Sequence, residues 1–99
     1  MSGESPEELL AQARGMIDAA DAQLVAVLAQ RFRLTRIVGE VKALADMPAK
    51  DAAREAEQRE RLIGLAGELG VPEALVLRVF DEIVAVVVEE HTAARGRAS

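Results

Sequence analysis

Cysteine is missing from this 99-residue chain. Its absence excludes disulfides, thiolate nucleophiles and zinc sites built on cysteine. Histidine occurs once, as His91, which is too few for a histidine-rich metal centre. Tryptophan and tyrosine are also absent, and Phe32 and Phe80 are the sole aromatics, so stacking platforms for bases are scarce. Basic charge is in the minority: 12 Lys and Arg face 17 Asp and Glu, a net charge of −5. The arginines alternate with acids and form no basic block, which argues against a nucleic-acid partner. No apolar run nears the roughly 20 residues of a membrane span. The opening "MSGESPEELL" is acidic and lacks the basic and apolar regions of a signal peptide. The expectation is a soluble, cytoplasmic chain with no membrane partner, no metal and no cofactor.

What is present is helix-forming sequence. Hydrophobic residues make up 51% of the chain, mostly Ala, Val and Leu, and turns are few with Gly 7 and Pro 3. This size sets one domain over residues 1–99, with 1–5 and 94–99 frayed. Ser5-Pro6-Glu7-Glu8 is a helix start, with Ser5 as cap, Pro6 in the first turn and Glu8 completing a capping box. Periodicity then predicts a first helix to about Ala45, roughly 60 Å long. Pro48 disfavours helical geometry at Met47 and breaks it. A second helix is predicted from Lys50 or Asp51 to about Leu69, stopped by Gly70, and a third from Pro72 to about Ala93. Two shorter helices cannot cover an apolar stripe running along the long one. The expected architecture is therefore all-α, three helices per chain, in an intertwined homodimer.

The informative residues are polar groups on apolar faces. At 100° per residue Leu10, Ile17, Leu24, Val27, Leu34, Val38 and Val41 form one stripe of the first helix. Arg31 falls in its middle, and Lys42 projects about 20° from Arg31. Arg33 and Arg36 face the other way. Arg14 sits at the stripe's edge, roughly 100° from Arg31, so it would meet the other two cations from a second chain. On the second helix Asp51, Glu55 and Gln58 align with Leu62 and Leu69, with Arg54 beside them. On the third, Val76, Phe80, Ile83, Val84 and Val87 face inward and His91 continues the line. Buried charge costs several kcal/mol unless it is partnered. A small dianion would complete a cluster in which cations outnumber carboxylates. Each residue also has an ordinary reading. Arg31 and Lys42 can snorkel, Asp51 can favour a helix N-terminus, Glu55 can pair with Arg59 at i+4, and His91 can serve a helix end.

The same residues carry a family likeness. "R-x-x-I-D-x-x-D-x-x-L-V-x-x-L-x-x-R" from Arg14 to Arg31, "V-G-E-V-K" ending at Lys42, "P-A-K-D-x-x-R-E" from Pro48 to Glu55 and "L-R-V-F-D-E-I-V" from Leu77 to Val84 occur in order. The chain resembles a chorismate mutase of the all-helical AroQ class from about Arg14 to His91. The resemblance implies an interlaced dimer with two equivalent sites that converts chorismate to prephenate by a [3,3] rearrangement, without cofactor. It implies that Arg31 and the other chain's Arg14 grip the two carboxylates and that Lys42 reaches a carboxylate and the ether oxygen. Glu55, helped by Asp51, would hold the ring hydroxyl; Arg54 would support the polar wall, and Val38, Val84 and Val88 the apolar wall.

Two positions depart from the family pattern, Val87 and His91, where well-known bacterial members have serine and glutamine. A histidine still donates a hydrogen bond to the ether oxygen; a valine does not replace the serine. Isochorismate pyruvate lyase and 4-amino-4-deoxychorismate mutase on the same fold stay open as alternatives. So do a non-catalytic helical dimer and a subunit working with a larger partner enzyme.

Overall fold

The computed structural model describes residues 3–98, with side chains through Gly96. Among these residues it contains three helices and no strand: α1 (Pro6–Leu44), α2 (Ala52–Leu69) and α3 (Glu73–Ala98). No helix is long and apolar enough to cross a membrane among the described residues. Contacts divide the described residues into two compact units, 3–33 and 34–98.

The first unit is the helical segment of α1 up to Arg33. Ser5 caps it, its Oγ accepting from the Glu8 backbone N–H at 3.2 Å. The apolar residues Leu10, Ile17, Leu24 and Val27 are all exposed.

The second unit holds the end of α1 with α2 and α3. The α1–α2 connection closes with a left-handed residue at Asp46, φ 55°. Met47 N–H bonds the Lys42 carbonyl at 2.8 Å and Asp46 N–H that of Ala43 at 3.3 Å. This is the double closure that usually recruits glycine; aspartate is among the few other residues that tolerate it. Asp51 then caps α2 by accepting from Arg54 N–H at 3.0 Å, and Gly70 ends it at φ 69°. The core lies between α2 and α3, where Leu62, Ala66 and Ile83 are buried. Val76, Phe80, Val84 and Val87 lie partly buried on the same side of α3 as Ile83. Leu69, expected on the inward face of α2, is instead exposed. The buried positions of α2 are Leu62 and Ala66, and Leu69 is its last residue, beside the Gly70 stop.

α3 is helical five residues beyond the expected end at Ala93. Arg95 accounts for the extension. Its guanidinium bonds the Asp46 carboxylate and the Met47 carbonyl, tying the last turns of α3 to the α1–α2 connection. Of the termini expected to fray, Met1, Ser2 and Ser99 lie outside the described residues.

Candidate active site

Within the second unit, α2 and α3 enclose a cavity of about 270 Å³. That is just below the ligand-pocket range of about 300–1,000 Å³. Ala52, Glu55, Ala56, Gln58 and Leu62 line it from α2; Leu77, Phe80 and Val84 line it from α3. The helical repeat explains the grouping: Glu55, Gln58 and Leu62 are successive inward positions, with the polar pair nearer the α2 N-terminus. Arg59 and Asp81 pair at the rim at 3.2 Å. Both are more than half exposed, so the pair contributes ~0–1 kcal/mol. Arg59 therefore does not make the i+4 pair with Glu55. Among the described residues neither the Glu55 carboxylate nor the Gln58 amide has a hydrogen bond or ion pair with protein. Both are half-buried.

Of the other candidate residues only Val84 lines this cavity. Lys42 is half-buried, and its Nζ donates to the Ala49 carbonyl at 3.2 Å. It thus lies folded along the connection that leads into α2. Asp51 is exposed and its carboxylate is engaged as the α2 cap. Arg54 is exposed, 4.0 Å from Glu57. Val38 is exposed, and Val84, Val87 and Val88 are half-buried on α3. Arg14, exposed, and Arg31, half-buried, belong to the first unit.

His91 is the most deeply placed polar residue among the described residues, 6% exposed. Its Nε2 lies 2.6 Å from the Thr35 carbonyl oxygen, so the proton resides on Nε2 and donates there. Nδ1 is buried without a partner. The ring lies on Gly39: a Cβ built at that position would be 2.5 Å from His91 Cδ2 and 2.8 Å from Nε2. The Nε2 proton that the resemblance assigns to an ether oxygen is here given to the backbone of α1. Glycine at 39 is what makes room for the ring.

A model of the chorismate mutase type II family matches residues 13–92. The match takes in Arg14, Arg31, Lys42, the α2–α3 cavity and His91. The chain belongs to this family. The bifunctional chorismate mutase/prephenate dehydratase of Escherichia coli (strain K12) is 36% identical over 84 residues, covering 85% of this chain and 21% of that protein. The proteins of the same name from Escherichia coli O157:H7 and Shigella flexneri match to the same extent. The chain thus spans about a fifth of the length of the curated relatives it matches. In this chorismate mutase type II chain, periodicity alone pointed to Arg31, Lys42 and Glu55. It placed Gln58 on the same face without marking it as a site residue, although the i, i+3 spacing from Glu55 was the available signal. The Gly39–His91 contact had no local signal, because the two lie 52 residues apart in the chain.

Proposed function

We propose that this chain is a chorismate mutase, an isomerase that converts chorismate to prephenate, working as a cytoplasmic homodimer with two equivalent sites. The observation that carries the reading is the family match across residues 13–92. The α2–α3 cavity, walled by Phe80 and Val84 and offering an unengaged carboxylate, supports it.

A second copy is what α1 calls for. Leu10, Ile17, Leu24, Val27, Leu34, Val38 and Val41 are each 48–61% exposed. Fully burying one such side chain is worth ~1.5–3 kcal/mol, so covering the stripe from this half exposure is worth on the order of 5–10 kcal/mol per chain. Packing two long helices along their stripes supplies that cover. It also brings Arg14 of one copy towards Arg31 of the other.

The rearrangement needs no nucleophile, cofactor or net proton transfer. The site has to fold a flexible dianion over its own ring and place charge where charge develops. Arg31 and the second copy's Arg14 take the two carboxylates. Lys42 turns from Ala49 to the ether oxygen, which gains negative charge as its C–O bond lengthens. Glu55 accepts the ring hydroxyl proton in a hydrogen bond, and Asp51 and Arg54 set the start of α2 on which Glu55 stands. Val38, Val84, Val87 and Val88 contribute apolar wall. His91 holds α3 on residues 35–39 of α1. The relatives' name joins chorismate mutase to prephenate dehydratase in one protein, which supports an association of this chain with a larger partner enzyme.

Incubating the purified protein with chorismate tests the reading. Chorismate absorbance is expected to fall, and acid treatment should yield phenylpyruvate from the prephenate formed. Salicylate and pyruvate from isochorismate, with no turnover of chorismate, would instead identify a lyase. Turnover of the 4-amino analogue alone would identify an aminodeoxychorismate mutase.

A further inference from the structure

The α2–α3 cavity holds two polar side chains that the protein itself leaves unengaged, and the proposed reaction uses only one of them. Glu55 and Gln58 are one helical turn apart on the inward face of α2, both half-buried and both lining the cavity. The rest of the wall is Ala52, Ala56, Leu62, Leu77, Phe80 and Val84, with the mutually paired Arg59 and Asp81 at the rim. The Gln58 amide is not withdrawn from solvent, so in the free protein water can satisfy it and a polar group in the cavity can take that water's place. Gln58 has no protein partner among the described residues. Arg59, the nearest flexible donor in sequence, is drawn off to Asp81 at 3.2 Å.

We propose that Gln58 is a substrate-contacting residue that, with Glu55, selects the hydrogen-bonding group carried by the substrate ring. This rests on the chorismate mutase reading above. The chemistry follows from what each group offers. A ring hydroxyl has one proton to give and lone pairs to receive. It donates to the Glu55 carboxylate, which only accepts, and receives from the Gln58 amide N–H, which donates. The two side chains and the hydroxyl form a directional chain, Gln58 N–H to oxygen to Glu55. A charged ring ammonium has three protons and no lone pair, so it accepts nothing from Gln58 N–H. Its protons go to Glu55, and Gln58 adds to that hold only when its amide turns to present the oxygen and gives up the N–H contact that a hydroxyl uses. Gln58 therefore supplies the contact that distinguishes a hydroxyl from an ammonium; a carboxylate alone accepts from either.

The test compares kcat/KM for chorismate and for 4-amino-4-deoxychorismate in the wild-type protein and in Gln58→Leu and Gln58→Glu variants. Leucine fits an apolar-lined wall and loses the donor, and chorismate kcat/KM should fall about tenfold, mainly through KM. Glutamate adds a second acceptor-only group; the preference for chorismate over the amine should drop by about tenfold or more relative to wild type. The ratio between the substrates is decisive, because a merely structural role for Gln58 would lower stability without moving it. Gln58→Leu within twofold of wild type on chorismate, together with an unchanged ratio in Gln58→Glu, would overturn the proposal. A folded wild-type protein inert towards both substrates would overturn the reading on which it rests, and the proposal with it.

Discussion

Replacing Lys42 with alanine is expected to lower kcat for chorismate by about 10²–10³-fold, the loss that follows removal of one donor from a developing oxyanion. The side chain is half-buried and its ammonium rests on the Ala49 carbonyl at 3.2 Å. That bond is worth only ~1 kcal/mol of stability, so the variant should fold. The α1–α2 connection keeps its backbone closure at Asp46 and Met47 and its clamp from Arg95. A Lys42→Met variant keeps the aliphatic stem and should be as inactive as Lys42→Ala, which separates charge from packing. Single-turnover kinetics with folded, assembled protein would check it. Full activity in either variant would remove Lys42 from the chemistry.

Gly39→Ala carries the second large effect. In most helix interiors this exchange stabilises by ~1 kcal/mol. Here the new methyl would lie 2.5 Å from one ring carbon of His91 and 3.1 Å from another, against a ring that is 6% exposed. The ring has to leave the Thr35 carbonyl or α3 has to shift. Overpacking costs ~1–3 kcal/mol and a stranded buried donor about as much again. The expected net loss is ~2 kcal/mol or more, a fall in Tm of about 10 °C for a chain of this length. Thermal unfolding of a double-mutant cycle identifies the cause. In a His91→Ala background the same Gly39→Ala change should become neutral or stabilising. Equal destabilisation in both backgrounds would mean that the contact with His91 is not what makes glycine necessary.

These two positions mark how much was legible in the sequence. Helix count and boundaries followed from local chemistry: Ser5, Pro48, Asp51 and Gly70 act within a few residues of themselves, and the helices begin and end beside them. Periodicity found the inward face of α3 from Val76 to His91, since one face of one helix is a local property. It misjudged Leu69, which is exposed at the last residue of α2. It also stopped α3 early, because the anchor that carries the helix on, Arg95, bonds residues 48 and 49 positions away. The candidate site divides in the same way. Polar residues on apolar stripes marked Arg31, Lys42 and Glu55, whereas Gly39 looked like a mild helix weakener. Its value lies in the space above it, which only the fold fills with His91. Asp51 fits both a helix start and a site in the sequence, and its carboxylate is engaged as the cap of α2.

The central claim is that one dianion is held by cations from two copies of this chain, and mixing two inactive variants tests it most directly. Arg14→Ala and Arg31→Ala homodimers should each lose nearly all chorismate turnover, since every site lacks one carboxylate anchor. Unfolded together and refolded as a mixture, about half of the dimers carry one variant of each kind. Each mixed dimer then has one site with both arginines and one with neither, so the mixture should recover about a quarter of wild-type activity. Mixed protein that stays as inactive as its components, with dimers formed, would contradict a site shared between two copies.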